Sequence, residues 1–445
     1  MQIVPHTIFL QKLKESKEIS LSFKFDDRLR RIILLAFSNE RQKKFACQFQ
    51  NYEDASLYCL IFETILSIEK IYLYDLKMFL KLFFYYNSDY IYNIQLESFT
   101  DLLIELYDKF NKHITLCDDF IEKLISKKVQ KEHLTEFYNK ISETYYLPYQ
   151  IIPLENILKE CLQELQILDL IKNTIKIEEN EFKNSIYRSI ETYSYIENNR
   201  IYLNNNIEKI EKYFDNVDFH KQVIGDISYN FTKTRTGRLE SKFHLISKEN
   251  QNKILTSRFE NGKILFCDMK NFEIRSMMKM WNIKCHEEDV YFIDKFEREV
   301  VKKSVISWLY GAVSYNKKVI EKFIEKYPQI KLEKLYYENN LESCLITTMG
   351  KYIEYDSNDE YKRKCVNYLV QNYATYLILD FTTNLNKILI TKKCDSKILA
   401  TKFDEIILDC KSEELDFVYK AIDFCLKKIS DDITFSATTH FGEID

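Results

Sequence analysis

Short apolar runs that end in polar or acidic residues alternate along this chain with segments whose apolar positions recur every three or four residues. Ile19 to Lys24, Arg31 to Ser38 and Phe45 to Phe49 alternate or run like three strands, and Ile71 to Asp75 leads into a helical pattern from Leu76. From about Ile114 to Phe182 the spacing is helical, with Leu and Ile stripes against charged faces. Ile264 to Asp268 predicts a short buried strand, followed from Asn271 by a helix. Ile398 to Phe403 and Ile406 to Leu408 predict two strands with Asp404 and Glu405 at the hairpin tip. With six Gly and four Pro in 445 residues, sharp turns should be few and helices many.

The chemistry sits at the ends of these runs. Asp268 closes one strand beside a helix start, and Asp404 and Glu405 close another. Each carboxylate by itself reads better as an ordinary turn or cap residue. On neighbouring strands, however, they would gather the hard oxygen ligands that hold a pair of Mg²⁺ ions. Such a pair activates an attacking hydroxyl and neutralises a leaving pyrophosphate. Between them in the chain, Arg298, Lys302, Ile306 and Tyr310 recur every four residues. Each step turns a helix by only about 40°, so they form one drifting stripe. Two cations, an apolar residue and an aromatic on one face suit a triphosphate at one end and a base at the other. A solvated basic face is the alternative, and the apolar continuation through Trp308 and Leu309 counts against it. Gly311 would let the chain leave the helix with a positive φ.

With these residues in this order, the sequence resembles the family A (DNA polymerase I-like) DNA polymerases. Thr236 to Ser241 is similar to the family's Thr-Gly-Arg-Leu-Ser-Ser element, which implies that Arg238 touches the primer-template minor groove. Asp268 to Arg275 resembles motif A, implying that Asp268 binds both metals and that Glu273 is the steric gate against a ribose 2′-hydroxyl. Arg298, Lys302, Tyr310 and Gly311 match the motif B helix. The match implies that Arg298 and Lys302 bind the β- and γ-phosphates and that Tyr310 closes the nascent base pair. Arg363, Asn367 and Gln371 match a later helix that contacts primer and template. Phe403, Asp404 and Glu405 resemble the motif C His-Asp-Glu, so Asp404 would share the metals and Glu405 would assist. Thr434 to Glu443 resembles the last palm strand. The resemblance covers about residues 185 to 445.

The fold it implies is α+β: a right-hand polymerase with an antiparallel palm sheet, helical fingers and a strongly reduced thumb. The expected polymerase domain is residues 176–445, with the palm at 185–203, 233–280 and 365–445. The fingers would then be about 281–364 and the thumb about 204–232. The short thumb segment implies weak unaided processivity. Two positions depart from the pattern: Ile306 stands where the family has Phe or Tyr against the incoming sugar, and Phe403 replaces the His beside the catalytic Asp. The interval between Asp268 and Arg298 also leaves little room for the usual fingers insertion. Residues 1–175 resemble the 3′–5′ exonuclease domain as an α/β unit. There Ser22 and Lys24 occupy the place of the Asp-x-Glu metal pair, Asp75 is kept, and the later Tyr-x3-Asp is not visible around Leu154 to Leu158. A Lys adds positive charge to a dication site, so this unit is expected to be inactive and the enzyme to lack proofreading.

Composition changes the picture little. A net charge of −4 advertises no global basic field, so any grip on DNA must come from local Lys and Arg. Eleven Cys without a Cys-x2-Cys pair, and no secretory leader, predict reduced thiols in a cytoplasmic protein of bacterial or phage coding. The seven His are scattered without zinc spacing. No apolar run reaches about 18 residues, so no membrane span is expected. The reading is thus a DNA-directed DNA polymerase using dNTPs, primer-template DNA and two Mg²⁺ (Mn²⁺ as substitute), with room for a processivity partner. Untemplated or protein-primed nucleotide addition, and a non-catalytic nucleic-acid-binding derivative, are the rivals.

Overall fold

The computed structural model describes residues 1–26, 31–49, 55–86, 94, 96–105, 180–204, 210–218, 223–285, 289–340 and 344–429, the backbone of 436–441, and isolated positions between 157 and 169. Most of the expected helical stretch 114–182, and the segment 154–156, lie outside the described residues. The chain divides into two compact units, Met1–Glu178 and Glu179–Asp445.

The first unit is built on a six-stranded mixed sheet of order β1-β4-β3-β2-β5-β6. Its elements are β1 (Gln2–Ile3), α1 (His6–Lys14), β2 (Glu18–Asp26), β3 (Arg31–Asn39), β4 (Lys44–Gln48), α2 (Ala55–Leu66), β5 (Lys70–Leu73), α3 (Leu76–Tyr86) and β6 (Phe99–Asp101). β2, β3 and β4 are antiparallel neighbours, whereas β2–β5 and β5–β6 are parallel and connected through helices. Along β2 both faces are buried, with Ile19, Leu21 and Phe23 on one and Ser20, Ser22 and Lys24 on the other. The sequence of β2 alternates apolar and polar residues, yet with both faces covered its Ser and Lys positions are buried like the apolar ones, so the alternation does not mark a solvent face. Asp75 adopts φ 67° and opens α3, its carboxylate accepting from the Met78 amide at 3.1 Å. Asp101, at the end of β6, accepts from the amides of Asp75 (3.1 Å), Leu76 (2.8 Å) and Leu103 (3.0 Å). Burial, and secondarily the Asp75 charge, push its carboxyl up to about 7. No sequence pattern singled out Asp101, because two of the three amides it joins, those of Asp75 and Leu76, are distant in the chain.

The second unit begins with α4 (Glu181–Glu197), capped by Asn180, whose side chain accepts from the Lys183 amide. Strands β7 (Ile201–Tyr202), β8 (Asn216–Asp218) and β9 (Ile224–Asp226) form a small antiparallel sheet. Then come α5 (Lys248–Ile254), β10 (Lys263–Lys270), α6 (Phe272–Met280), α7 (Arg298–Leu309), α8 (Lys317–Lys326) and α9 (Pro328–Asn339). A hairpin of β11 (Cys344–Ile346) and β12 (Tyr352–Glu354) leads to α10 (Asn358–Thr391), then β13 (Lys397–Lys402), β14 (Glu405–Cys410), α11 (Leu415–Ile429) and β15 (Ser436–Phe441). The main sheet is antiparallel throughout, in the order β13-β14-β10-β15.

α10 spans 34 residues and belongs to two cores. Tyr361, Cys365, Val366, Leu369 and Val370 pack with α7 to α9, while Ala374, Leu377, Phe381 and Leu385 pack under the main sheet with α11. A boundary between fingers and palm at 364/365 was expected, yet the helix crosses it unbroken. The two cores share one rigid rod because no Gly or Pro interrupts it. Two further differences are local. Strand β10 runs two residues past Asp268 before Asn271 turns it with φ 58°, and the helical layer includes the β11–β12 hairpin. The described part of 204–232 holds β8, β9 and one 3₁₀ turn at Glu211–Tyr213, with no α-helix among the described residues. No described helix is long and apolar enough to cross a membrane.

Asp101→Ala would leave three backbone N–H groups without their acceptor, a loss of roughly 2–4 kcal/mol. Urea unfolding of the full chain, followed by circular dichroism, checks this expectation.

Candidate active site

Strand register brings the two carboxylate sites together. Asp268 pairs directly with Glu405 across β10 and β14, and the Met269 amide donates to the Asp404 carbonyl at 3.1 Å. Leu265, Cys267 and Met269 face the core under the sheet, so Asp268 points from the opposite face. Lys402 pairs with Glu405, leaving Phe403 and Asp404 as a two-residue turn. Phe403 sits at φ 58° there, a conformation a bulky side chain seldom adopts. Three hydrogen-bonding side chains hold the strand before it. Tyr193 meets the Thr401 hydroxyl at 3.1 Å, His244 Nε2 lies 3.0 Å from the Thr401 carbonyl, and the Tyr229 hydroxyl accepts from the Thr401 amide at 2.8 Å.

A groove of about 550 Å³, open to solvent, runs beside this turn. Five expected site residues line it: Arg238, Glu273, Gln371, Phe403 and Asp404. The Arg238 guanidinium lies 3.8 Å from the Phe403 ring centroid, and His244 packs on the same ring at 4.9 Å. Phe403 nevertheless remains 43% exposed, enough to meet a partner from the groove side. Burial, and then the Asp268 charge, push the Asp404 carboxyl up from its ordinary 3.8 to about 6.

The basic helix is joined to this floor by two contacts. The Tyr310 hydroxyl donates to Glu273 at 3.0 Å, and burial together with the Glu273 charge holds that phenol well above its usual range. Arg298 donates to Asp289 (2.6 Å), Glu299 (2.9 Å) and Asn271 (3.0 Å), and Asn271 in turn donates to Asp289 at 3.0 Å. Asn271 thus ties the end of β10 to the start of α7. Lys302 makes no hydrogen bond or ion pair among the described residues and is half-buried, as is Ile306. On α10, Arg363 is exposed and donates to the Asp359 carbonyl of its own helix, while Asn367 Oδ1 is buried without a partner among the described residues. Gly311, at φ 71°, seats the end of α7 against α10. A Cβ there would lie 2.6 Å from the Arg363 carbonyl oxygen.

The sequence matches no protein-family model and no curated protein. Among solved structures the chain is similar to the "POL domain of Pol1 from M. smegmatis complex with DNA primer-template and dNTP". The TM-score is 0.68 at 10% identity, over 98% of this chain and 97% of that one. The chain has the fold of a polymerase domain.

Within this polymerase fold, sequence reasoning missed Lys248, Gln251, His244, Asn271 and Asp289. Lys248 Nζ stands 3.1 Å from Asp268 Oδ2 and 3.2 Å from Glu405 Oε1. With the Gln251 amide turned to suit its neighbours, its nitrogen lies 3.3 Å from Glu405 Oε2 and its oxygen 3.1 Å from Lys402 Nζ. These residues carry no motif, and helix α5 gives no hint of facing carboxylates. Among the described residues, no group of three or more His, Cys, Asp or Glu is disposed to hold a metal. The donor set is instead open: two hard carboxylates close enough for one charge to raise the other's pKa. That suits Mg²⁺, which keeps several waters and binds through one or two carboxylates plus substrate phosphates.

Two outcomes follow from this geometry. A raised carboxylate pKa makes a stability contribution that is complete below pH 3.8 and lost as pH rises through about 6. Asp404→Asn in chelator should therefore be more stable than wild type at pH 7, by on the order of 1–2 kcal/mol once solvent screening is allowed for. The gain should vanish near pH 4, as denaturant melts at the two pH values will reveal. Gly311→Ala should cost roughly 1–3 kcal/mol through positive-φ strain and the clash with α10, read as a fall in midpoint temperature.

Proposed function

We propose that this chain is a DNA-directed DNA polymerase of the family A type. It extends a primer 3′-hydroxyl with dNTPs and releases pyrophosphate. The observation that carries the reading is the meeting of Asp268 and Asp404 beside a groove lined by Arg238, Glu273 and Gln371, with Tyr310 bonded to Glu273. Asp268 and Asp404 would hold two Mg²⁺ ions, or Mn²⁺ as substitute. Such ions supply hydroxyl activation and neutralise charge on the phosphoryl group.

The chain's own residues have separate tasks. Lys302, a half-buried cation without an ion-pair partner among the described residues, binds the triphosphate and stabilises charge as the bond breaks. Arg298 binds the β- and γ-phosphates after exchanging its Asp289 partner for phosphate oxygens, for which its planar fork is suited. Tyr310 closes the base-pair pocket, and the Tyr310–Glu273 bond holds the carboxylate where it would meet a 2′-hydroxyl. Ile306 offers an aliphatic contact to the sugar. Arg238, Arg363, Asn367, Gln371 and Phe403 contact primer and template, Phe403 through its exposed ring face. Glu405 acts one step behind, as a partner of Lys248.

The first unit fits an exonuclease-like α/β domain without proofreading. Ser22 and Lys24 are buried within β2, and Asp75 caps α3. The short strands and single 3₁₀ turn in the described part of 204–232 fit a reduced thumb, for which weak processivity and an accessory protein are the proposed consequences. Catalysis on DNA with reduced thiols fits the cytoplasm.

A primer-extension reaction with one nucleotide withheld tests the reading. Synthesis should stop at the template position that calls for the missing nucleotide, and no 3′ trimming should occur. Asp268→Ala and Asp404→Ala should each lower incorporation by about a thousandfold or more, with DNA binding by fluorescence anisotropy unchanged. Wild-type rates from Asp268→Ala would end the assignment, and homopolymer tailing without template would favour untemplated addition.

A further inference from the structure

Lys248 is the residue around the paired carboxylates for which the copying reaction has no use. Its ammonium lies 3.1 Å from Asp268 Oδ2 and 3.2 Å from Glu405 Oε1, bridging two strands that are neighbours in the sheet. Ser247 caps α5 by accepting from the Asn250 amide, so the backbone that carries Lys248 is held in place. Glu405 is 9% exposed and, on its other oxygen, faces the Gln251 amide. Asp268 is 37% exposed and the Lys248 side chain 48%, so the ammonium has room to leave Asp268 on the solvent side.

From this geometry we propose that Lys248 is a tethered counter-ion competing with divalent metal for Asp268; the idea rests on the functional reading above. A divalent ion bound to Asp268 at about 2.1 Å needs the lone-pair space that the ammonium now fills, and it repels that ammonium. Filling the site therefore moves Lys248 off Asp268 and onto Glu405 alone, or into solvent. Two consequences come from one side chain. Without metal, Lys248 offsets the repulsion among clustered carboxylates. With metal, it sets the divalent concentration at which Asp268 fills. It is a positioning residue, since it meets Asp268 and Glu405 rather than the reacting atoms.

Mn²⁺ binding to the full chain, followed by loss of the free-ion electron paramagnetic signal, tests the proposal without any turnover. Lys248→Met keeps the length and removes the charge, and should bind Mn²⁺ about fivefold tighter than wild type. Lys248→Arg should stay near wild type, and Asp268→Asn should abolish this binding in either background. A second measurement needs no variant: acylation of Lys248 by an amine-reactive ester, mapped by mass spectrometry, should speed up when Mn²⁺ is added. Lys248→Met binding no tighter than wild type, or Lys248 acylation unchanged by saturating Mn²⁺, overturns the proposal. If Asp268→Asn binds Mn²⁺ like wild type, the metal assignment of Asp268 itself falls. Loss of binding in Asp268→Asn alongside unchanged Lys248→Met sinks the counter-ion idea alone.

Discussion

Everything proposed for this chain depends on the register between β10 and β14. Asp268 opposes Glu405 and leaves Asp404 in the turn just beyond it. Side chains alternate along a strand, so a slip of one residue would send Asp268 into the core with Leu265 and Cys267. The hydrophobic pattern forbids that slip. Leu265, Cys267 and Met269 on β10, and Ile406, Leu408 and Cys410 on β14, all face α10 and α11. Apolar burial beneath the sheet therefore fixes where the charges stand above it. At the far end of the same face Asp409 is neutralised by Arg258 at 2.8 Å and accepts a hydrogen bond from the Ser257 hydroxyl at 2.5 Å, which anchors the strands away from the groove.

Holding acidic groups together is costly, and the structure distributes the cost. Asp404 has Arg238 nearby but is still pushed toward its neutral form by burial and by Asp268. Asp268 and Glu405 share Lys248. Arg298, on α7, is held by Asp289 and Asn271. Asp268, Asp404, Glu405 and Arg298 thus each stand beside an internal charge of opposite sign. Such arrangements keep a charged cleft folded when it is empty, and they set how strongly a ligand must bind to displace the internal ion.

α10 supplies the mechanical link. Its first half packs against α7 to α9 and its second half under the main sheet. Gly311 lets the end of α7 approach the α10 backbone at Arg363, and Asn372 donates to the Thr236 carbonyl, tying in the loop that carries Arg238. Helix α7, the groove wall and the sheet that carries the paired carboxylates therefore share one rod. A shift of α7 is felt through Tyr310 and Glu273 on one side and through α10 on the other.

The sequence by itself determined the elements that carry local signals. Strand runs at β2, β3, β4, β10, β13 and β14, the helix after Asn271, the cationic stripe on α7 and the positive φ at Gly311 were all legible, because periodicity and glycine chemistry act within a few residues. Tertiary structure alone decided what meets what. Lys248 on Asp268, His244 and Arg238 on Phe403, and Asp101 on the amides of Asp75 and Leu76 are contacts between residues twenty or more positions apart in the chain. A lone Lys, Asp or His carries no period and no motif, so its role exists only once packing has chosen its neighbours. The unbroken α10 escaped for the opposite reason: its local pattern is continuous, and only the two cores flanking it divide it.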